Sequence, residues 1–265
     1  MSRRTILVVG ATGKQGGAFI RAGVSASGEH DFHFLAVTRD PKSHSAQALV
    51  KLGDRVAVVT ADVNDEQTVR KVFEDAKAEG GGVWGVYVAL AFPGLGADAS
   101  GEERQGKMMA DLAHEYSVKH LIYSSASRRH ESLDDTATLS GLAKVRIERH
   151  IKSLPDLSWT ILQPTFFMEN FEGYLGKIAT SVLRVGQKKD TKIQLIAAED
   201  IGRVGFAVMQ SPETYNGKTV TVIGDALTMD ELQEAYKRGA GKAMPSVANI
   251  FARGIIAMNT HTREV

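Results

Sequence analysis

Gly10-Ala11-Thr12-Gly13-Lys14-Gln15-Gly16-Gly17 decides how this chain is read. Gly10, Gly13 and Gly16 stand in the spacing Gly-x-x-Gly-x-x-Gly. The residues before it, Ile6 to Val9, are apolar and mostly β-branched, the pattern of a buried strand. After it, Ala18, Phe19, Ala22 and Gly23 share one face of a helix over 13–24. Glycine lets the backbone turn tightly and come close to a pyrophosphate. The helix start then offers unpaired N–H groups and a positive dipole end to an anion. A glycine triplet alone also serves as a plain strand–helix turn, so its place in the chain decides between the two readings.

That place is the first junction of a long alternation. Strands are predicted at 32–38, 55–60, 83–90, 120–124 and 159–162. Helices are predicted at 43–52, from Asn64 or Asp65 to Ala76, at 102–116 and at 138–154. Strands joined by crossover helices run parallel, so the expected fold class is α/β, a Rossmann doubly wound parallel sheet. In such sheets ligands sit beyond the carboxyl ends of the strands, near the point where strand order reverses. After Pro164 the rhythm loosens. A strand at 192–196, a helix at 199–209 and a strand at 218–223 are expected. Thr228-Met229-Asp230-Glu231 reads as a capping box that opens another helix. The expected division is 1–164 as the dinucleotide-binding domain. Residues 165–265 form a small C-terminal α+β lobe, interleaved with the first domain and holding substrate or partner. A turn-rich stretch from Gly239 to Pro245 leads to a final helix, which closes a pocket or supports a dimer.

Composition narrows the function classes. The chain has 265 residues, with 43% hydrophobic and 24% charged, an ordinary globular balance. Its net charge is +1, which favours no polyanionic partner. It has no cysteine, which excludes disulfides, thiolate zinc sites and a cysteine nucleophile. The apolar run after Arg4 ends at Gly10, too short for a signal peptide or a membrane span. A cytoplasmic location is expected, or a nuclear one for a regulator. No basic face or nucleic-acid motif stands out, so no direct nucleic-acid contact and no membrane contact are expected. The histidines lack metal-ligand spacing, and His30 and His33 at a strand start make no metal pair, so no metal site is expected. No Gly-x-Ser-x-Gly elbow supports a serine hydrolase.

The end of the second strand addresses which dinucleotide would bind. NAD binders place Asp or Glu there for the ribose hydroxyls. Here the run is Thr38-Arg39-Asp40-Pro41-Lys42. A guanidinium at Arg39 forks onto a 2′-phosphate, with Lys42 close by, so NADP(H) is favoured over NAD(H). Asp40 pulls the other way, either pairing with Arg39 or facing a ribose. Asp62 and Val63 read as adenine contacts, with a helix cap the competing role for Asp62. Ala89 and Leu90 are small and apolar where a ribose or nicotinamide would lie.

Together with the glycine loop and Thr38-Arg39-Asp40-Pro41, three further stretches matter: Gln105-Gly106-Lys107, Tyr123-Ser124-Ser125 and Gln163-Pro164-Thr165-Phe166-Phe167-Met168-Glu169-Asn170. With these the chain resembles the NmrA-like group of the atypical short-chain dehydrogenases/reductases. The likeness runs from residue 5 to about 235. That group includes NADP(H)-sensing regulators and isoflavone-reductase-like and quinone-reductase-like enzymes. The resemblance implies that Gly10, Thr12, Gly13, Gln15 and Gly16 hold the pyrophosphate and Arg39 the 2′-phosphate. It places Lys144 near the nicotinamide ribose and Pro164, Phe166 and Phe167 along the nicotinamide pocket. Glu169 and Asn170 continue that motif.

One position departs from the pattern. Catalytic members of the superfamily carry a tyrosine four residues before the lysine, and here Ser140 stands there. The usual step needs a phenol made more acidic by the lysine to protonate a carbonyl oxygen, and serine has no comparable acidity. Isoflavone-reductase-like relatives work with the lysine alone, so Lys144 remains a catalytic candidate. Ser125, with Ser124, ends the fifth strand where a substrate-binding hydroxyl or a plain cap would sit. Tyr123 reads as core. Arg128 and Arg129 are anion binders or a solvated loop, and His130 is an acid or a solvated loop residue. Lys107 is near the cofactor or merely exposed, and Met108 and Met109 are helix core. Two functions stay open. One is an NADP(H)-binding redox sensor or regulator with a protein partner, which the missing tyrosine favours. The other is an NADPH-dependent oxidoreductase that reduces a small apolar carbonyl, enone or quinone.

Overall fold

The computed structural model describes residues 3–26, 31–94, 96–128 and 131–247. Arg129, His130 and most of the expected final helix lie outside the described residues. The chain packs into two units. One is Met1–Pro164 with Glu199–Val222, the other Thr165–Ala198 with Ile223–Val265.

The first unit holds a sheet of seven parallel strands. In chain order its elements are β1 (Arg3–Val9), α1 (Lys14–Ser25), β2 (Asp31–Thr38), α2 (His44–Val50) and β3 (Val56–Thr60). Then come α3 (Glu66–Ala78), β4 (Gly85–Val88), α4 (Ser100–Glu115), β5 (His120–Ser124), α5 (Leu139–Ser153) and β6 (Trp159–Pro164). The strand order is β3-β2-β1-β4-β5-β6, with a seventh strand outside β6. The order reverses between β1 and β4, where Ile6–Val9 pairs with Gly85–Val88. Each predicted strand is present. The fourth is shorter than its apolar run suggests, because only those four residues pair with β1.

Buried strands read as continuous apolar runs because helices cover both faces of a parallel sheet. One face packs Leu7, Val9, Val86, Val88, Leu121 and Tyr123 against Phe73, Met109, Leu112 and Ile147 from the helices. The sheet also carries an aromatic cluster. Phe19 stacks on Tyr87 at 4.2 Å between ring centres and meets Phe34 edge-on at 6.1 Å. Such pairs each contribute about 1 kcal/mol beyond the area they bury.

Beyond Pro164 the chain alternates between the two units. Beyond β6 come β7 (Phe166–Phe167), α6 (Gly173–Gly186), β8 (Ile193–Ile196), α7 (Ala198–Gln210), the short α8 (Pro212–Tyr215) and β9 (Lys218–Val222). Strand β9 pairs with β6 in parallel, from Thr160–Lys218 to Pro164–Val222. Residues 199–222 belong to the first unit.

The second unit is α+β. Its sheet has the order β10-β8-β7, with β10 (Asp225–Leu227) antiparallel to β8. Helix α9 (Met229–Ala240) begins with the predicted capping box: the Thr228 side chain accepts from the Glu231 N–H, and the Glu231 carboxylate accepts from the Thr228 N–H. Phe171, Leu183, Ile193, Leu195, Met229, Leu232 and Met244 form its core.

Candidate functional site

The glycine loop is shaped by two close approaches. Gly10 has φ 75°, and a Cβ there would stand 2.1 Å from the Ala89 carbonyl oxygen. A Cβ on Gly16 would stand 2.3 Å from the Gly10 carbonyl oxygen. Both positions are thus closed to any side chain. Gly13 donates its N–H to the Gly10 oxygen at 2.9 Å and caps α1 with no side chain. The first turn of α1 contains no acidic residue, so no internal carboxylate competes for its N–H groups.

Beside the loop lies a cavity of about 490 Å³ at the carboxyl ends of β1 to β4. Gly10 and Thr12 line it from the glycine loop, and Thr38, Arg39, Asp40, Ser43 and Ser45 from beyond β2. Ala61 to Asn64 follow β3, Ala89 to Ala91 follow β4, and Gln105 reaches in from α4. The structure therefore brings together Gly10, Thr12, Arg39, Asp62, Val63, Ala89 and Leu90 of the expected residues. Lys42 is exposed in the same loop and is not part of the lining.

The loop after β2 settles where Asp40 points. Its carboxylate accepts the Lys42 backbone N–H at 2.9 Å, and its carbonyl accepts the Ser43 hydroxyl at 2.8 Å. Ser43 in turn caps α2. Asp40 is spent on its own turn, and among the described residues the exposed Arg39 guanidinium has no carboxylate partner. Asp62 is also a turn former: its Oδ1 accepts the Asn64 backbone N–H at 3.0 Å and the Asn64 side-chain N–H at 2.9 Å. The cap of α3 is Asp65. Gln105 donates to the Asn64 Oδ1 at 2.8 Å and so bridges α4 to the loop after β3.

Sequence reasoning missed Ser43, Ser45, Asn64 and Gln105 as cavity residues. For Ser43, Ser45 and Asn64 the signal was positional, since each follows a strand end or opens the next helix on the side where ligands collect, whereas Gln105 lies in the second turn of α4. Nothing in residue type distinguishes Ser45.

A second constellation lies among α4, α5, β5 and β6. Ser140, Lys144 and Glu148 stand four apart and share one stripe of α5. Glu102 of α4, buried, accepts both the Ser140 hydroxyl at 2.6 Å and the Lys144 ammonium. Glu148, 2% exposed, accepts two bonds from Arg128, at 2.5 and 2.7 Å, and one from the Ser125 hydroxyl. Arg128 also binds Asp134 at 2.8 Å. Arg128 is therefore neither a solvated loop residue nor open to a substrate anion. Its carboxylate partners, Glu148 foremost, strengthen its hold on its proton. The Tyr123 phenol is buried and, among the described residues, has no hydrogen-bond partner. Burial pushes its acidity down, and Glu102 and Glu148 push the same way. Ser140 and Lys144, the two positions of the tyrosine–lysine pattern, are both tied to one buried carboxylate.

The remaining expected residues sit as follows. Gln15, second in α1, accepts the Ser124 hydroxyl at 2.7 Å through its side-chain oxygen. Lys107 pairs with Glu103 at 2.7 Å one helical turn away, and Met109 is core. Pro164 ends β6, buried, and its carbonyl accepts the Ser127 N–H at 2.8 Å. In the second unit, Phe166 lies 5.3 Å from Phe171 between ring centres and packs on that unit's core, while Phe167 is half-buried. Glu169 accepts the Ala198 N–H at 2.9 Å.

The model described as the NmrA-like family matches residues 2–253. The chain is 28% identical, over 99% of its length and 81% of the other's, to the NmrA-like family domain-containing oxidoreductase cpsB of Aspergillus campestris. It is 30% identical, over 93% of its length and 71% of the other's, to the oxidoreductase notA' of Aspergillus versicolor. Among solved structures, it resembles NmrA, a negative transcriptional regulator, in complex with NADP. The TM-score is 0.71 at 20% identity, over 93% of this chain and 74% of that one. The triphenylmethane reductase of Citrobacter sp., complexed with NADP(H), gives a TM-score of 0.68 at 18% identity, over 98% and 90%.

Proposed function

The chain belongs to the NmrA-like family, and on that premise we propose that it binds NADP(H) and acts as a redox sensor or regulator without a tyrosine proton donor. The observation that carries this reading is the cavity at the β1–β4 reversal, with the glycine loop at one side and, at the other, an Arg39 that has no carboxylate partner among the described residues. Gly10, Gly13, Gly16 and the first turn of α1 would hold the pyrophosphate. Arg39, with Lys42, would hold a 2′-phosphate, and Asp62, Val63, Ala89 and Leu90 would flank the adenosine. The bound nicotinamide would supply a ring whose charge differs between its oxidised and reduced forms. A sensor turns such a difference into a population shift that a protein partner reads. In support of sensing, Ser140 replaces the tyrosine and its hydroxyl is committed to Glu102.

A second reading, an NADPH-dependent reductase of a small apolar carbonyl, enone or quinone, is favoured by the oxidoreductase names of the curated relatives. Calorimetric titration with NADPH, NADP+ and NADH tests the first. A preference for NADPH over NADH of ~10-fold, about 1.4 kcal/mol, is expected. Equal affinities would reduce Arg39 to a surface charge, and no binding at all would overturn the proposal. Steady NADPH consumption with a quinone or enone, lost in Lys144→Ala, would replace the sensor by the reductase. Among the described residues no helix is long and apolar enough to cross a membrane. We place the protein in the cytoplasm, or in the nucleus as a regulator.

A further inference from the structure

We infer that Ser124 is a positioning residue for the phosphate loop: it claims the side-chain oxygen of Gln15 and so leaves that amide facing the anion site with donors only. The inference rests on the dinucleotide-binding reading above and goes one residue beyond it. A carboxamide carries one acceptor oxygen and two N–H donors, and either end can face a ligand. Beside a pyrophosphate the oxygen end would repel and the N–H end would bind. Gln15 is the second residue of α1, in the turn whose backbone N–H groups lack intrahelical partners. Its side chain therefore stands where its orientation adds to the anion site or works against it.

The structure fixes that orientation from outside the loop. Ser124 is the last residue of β5, 4% exposed, and its hydroxyl donates to the Gln15 Oε1 at 2.7 Å. The bond joins residues 109 apart in sequence and ties the glycine loop to a rigid strand of the same sheet. Among the described residues the Gln15 amide nitrogen has no hydrogen-bond partner. The neighbouring Ser125 is spent differently, on buried Glu148. The two adjacent serines thus divide their work: one aims the phosphate loop and the other completes an ion cluster.

The test uses the full chain and two probes, NADPH and adenosine 2′-monophosphate, which has the 2′-phosphate but no pyrophosphate. Ser124→Ala should weaken NADPH binding about 10-fold, the scale of one hydrogen bond to a charged group, and leave the monophosphate within about two-fold. Gln15→Glu keeps an acceptor for Ser124 but removes both donors and adds a negative charge. It should lose NADPH at least as strongly, again sparing the monophosphate. Ser124→Thr retains the hydroxyl and should restore most of the affinity. In the double variant Ser124→Ala with Gln15→Leu, the loss should be less than the sum of the two single losses, as for residues that act through each other. Equal loss of both probes in Ser124→Ala would reduce Ser124 to a structural cap. Unchanged NADPH affinity in Ser124→Ala and Gln15→Glu would overturn the inference while leaving dinucleotide binding in place. Failure of the unaltered chain to bind NADPH would remove the reading beneath it as well.

Discussion

The cavity beside the glycine loop and the ion cluster on α5 lie in one unit and are built on opposite principles. The cavity is made of backbone. Glycines, strand ends and turn residues shape it; several of its polar side chains close local turns, Gln105 bridges to Asn64, and Arg39 has no carboxylate partner among the described residues. The cluster is made of side chains that satisfy one another. Glu102, Lys144 and Ser140 form one set, and Glu148, Arg128, Ser125 and Asp134 another. A region whose donors are left open is prepared for something that arrives later. A region whose charges are mutually consumed holds elements together, because a buried ion left alone costs several kcal/mol.

The largest expected effect breaks the cavity. Gly10→Val puts a side chain where even a Cβ would stand 2.1 Å from a carbonyl oxygen, at a φ that a β-branched residue does not adopt. NADPH binding should vanish in calorimetry. The midpoint of urea unfolding should also fall, by several kcal/mol of stability, since main chain cannot yield cheaply.

The next breaks the cluster. Glu148→Leu removes the acceptor of Arg128 and Ser125 and leaves a half-buried guanidinium with Asp134 alone. A loss of roughly 3–5 kcal/mol is expected in chemical denaturation. Affinity for NADPH, measured on the fraction that stays folded, should change by less than about three-fold. A collapse of affinity with stability intact would merge the two regions into one site.

A third prediction sharpens the contrast with a buried base kept neutral. His120 is wholly buried, bonded to Ser158 at 2.8 Å and Thr160 at 2.9 Å, and burial lowers its pKa from 6.5 to about 4. Below 6.5 the unfolded chain takes up a proton that the folded chain refuses. Stability is therefore complete above about pH 6.5 and drains away as the pH falls towards 4, by about 3 kcal/mol in all. His120→Asn should flatten the stability profile between those values. An unchanged slope would assign the acid loss to other groups.

The smallest effect concerns one cavity side chain. Arg39→Ala should weaken NADPH by about 10- to 30-fold, or about 1.4–2 kcal/mol, and leave NADH unchanged. Equal losses for both would make Arg39 a contact to something other than the 2′-phosphate.

What the sequence made legible follows from range. The glycine loop, the alternation of strands and helices and the Thr228 capping box are each written within a few residues, and all are present. The ion cluster was illegible because its partners are far apart: Glu102 and Lys144 are separated by 42 residues, Ser125 and Glu148 by 23. Glu102 in the first turn of α4 reads as an ordinary answer to the helix dipole, and nothing local says that it is buried. Arg128 reads locally as a solvated or anion-binding residue for the same reason, since its partner Glu148 lies 20 residues away. Helix α6 escaped notice because Gly173, Gly176, Thr180, Ser181 and Val182 are poor helix formers, and tertiary packing overrides that weakness.

The pairing of β9 with β6 has a consequence for how this chain can be made and cut. Strand β6 is an edge until Val222 has been synthesised, and by then more than thirty residues of the second unit have already emerged. A fragment that stops at Pro164 would end on an unprotected strand with open N–H and C=O groups, an invitation to pair with its own copies. Extending the fragment to Val222 should relieve that self-association. The chain's natural cutting point therefore lies after the returning strand, well beyond the place where its strand–helix rhythm loosens.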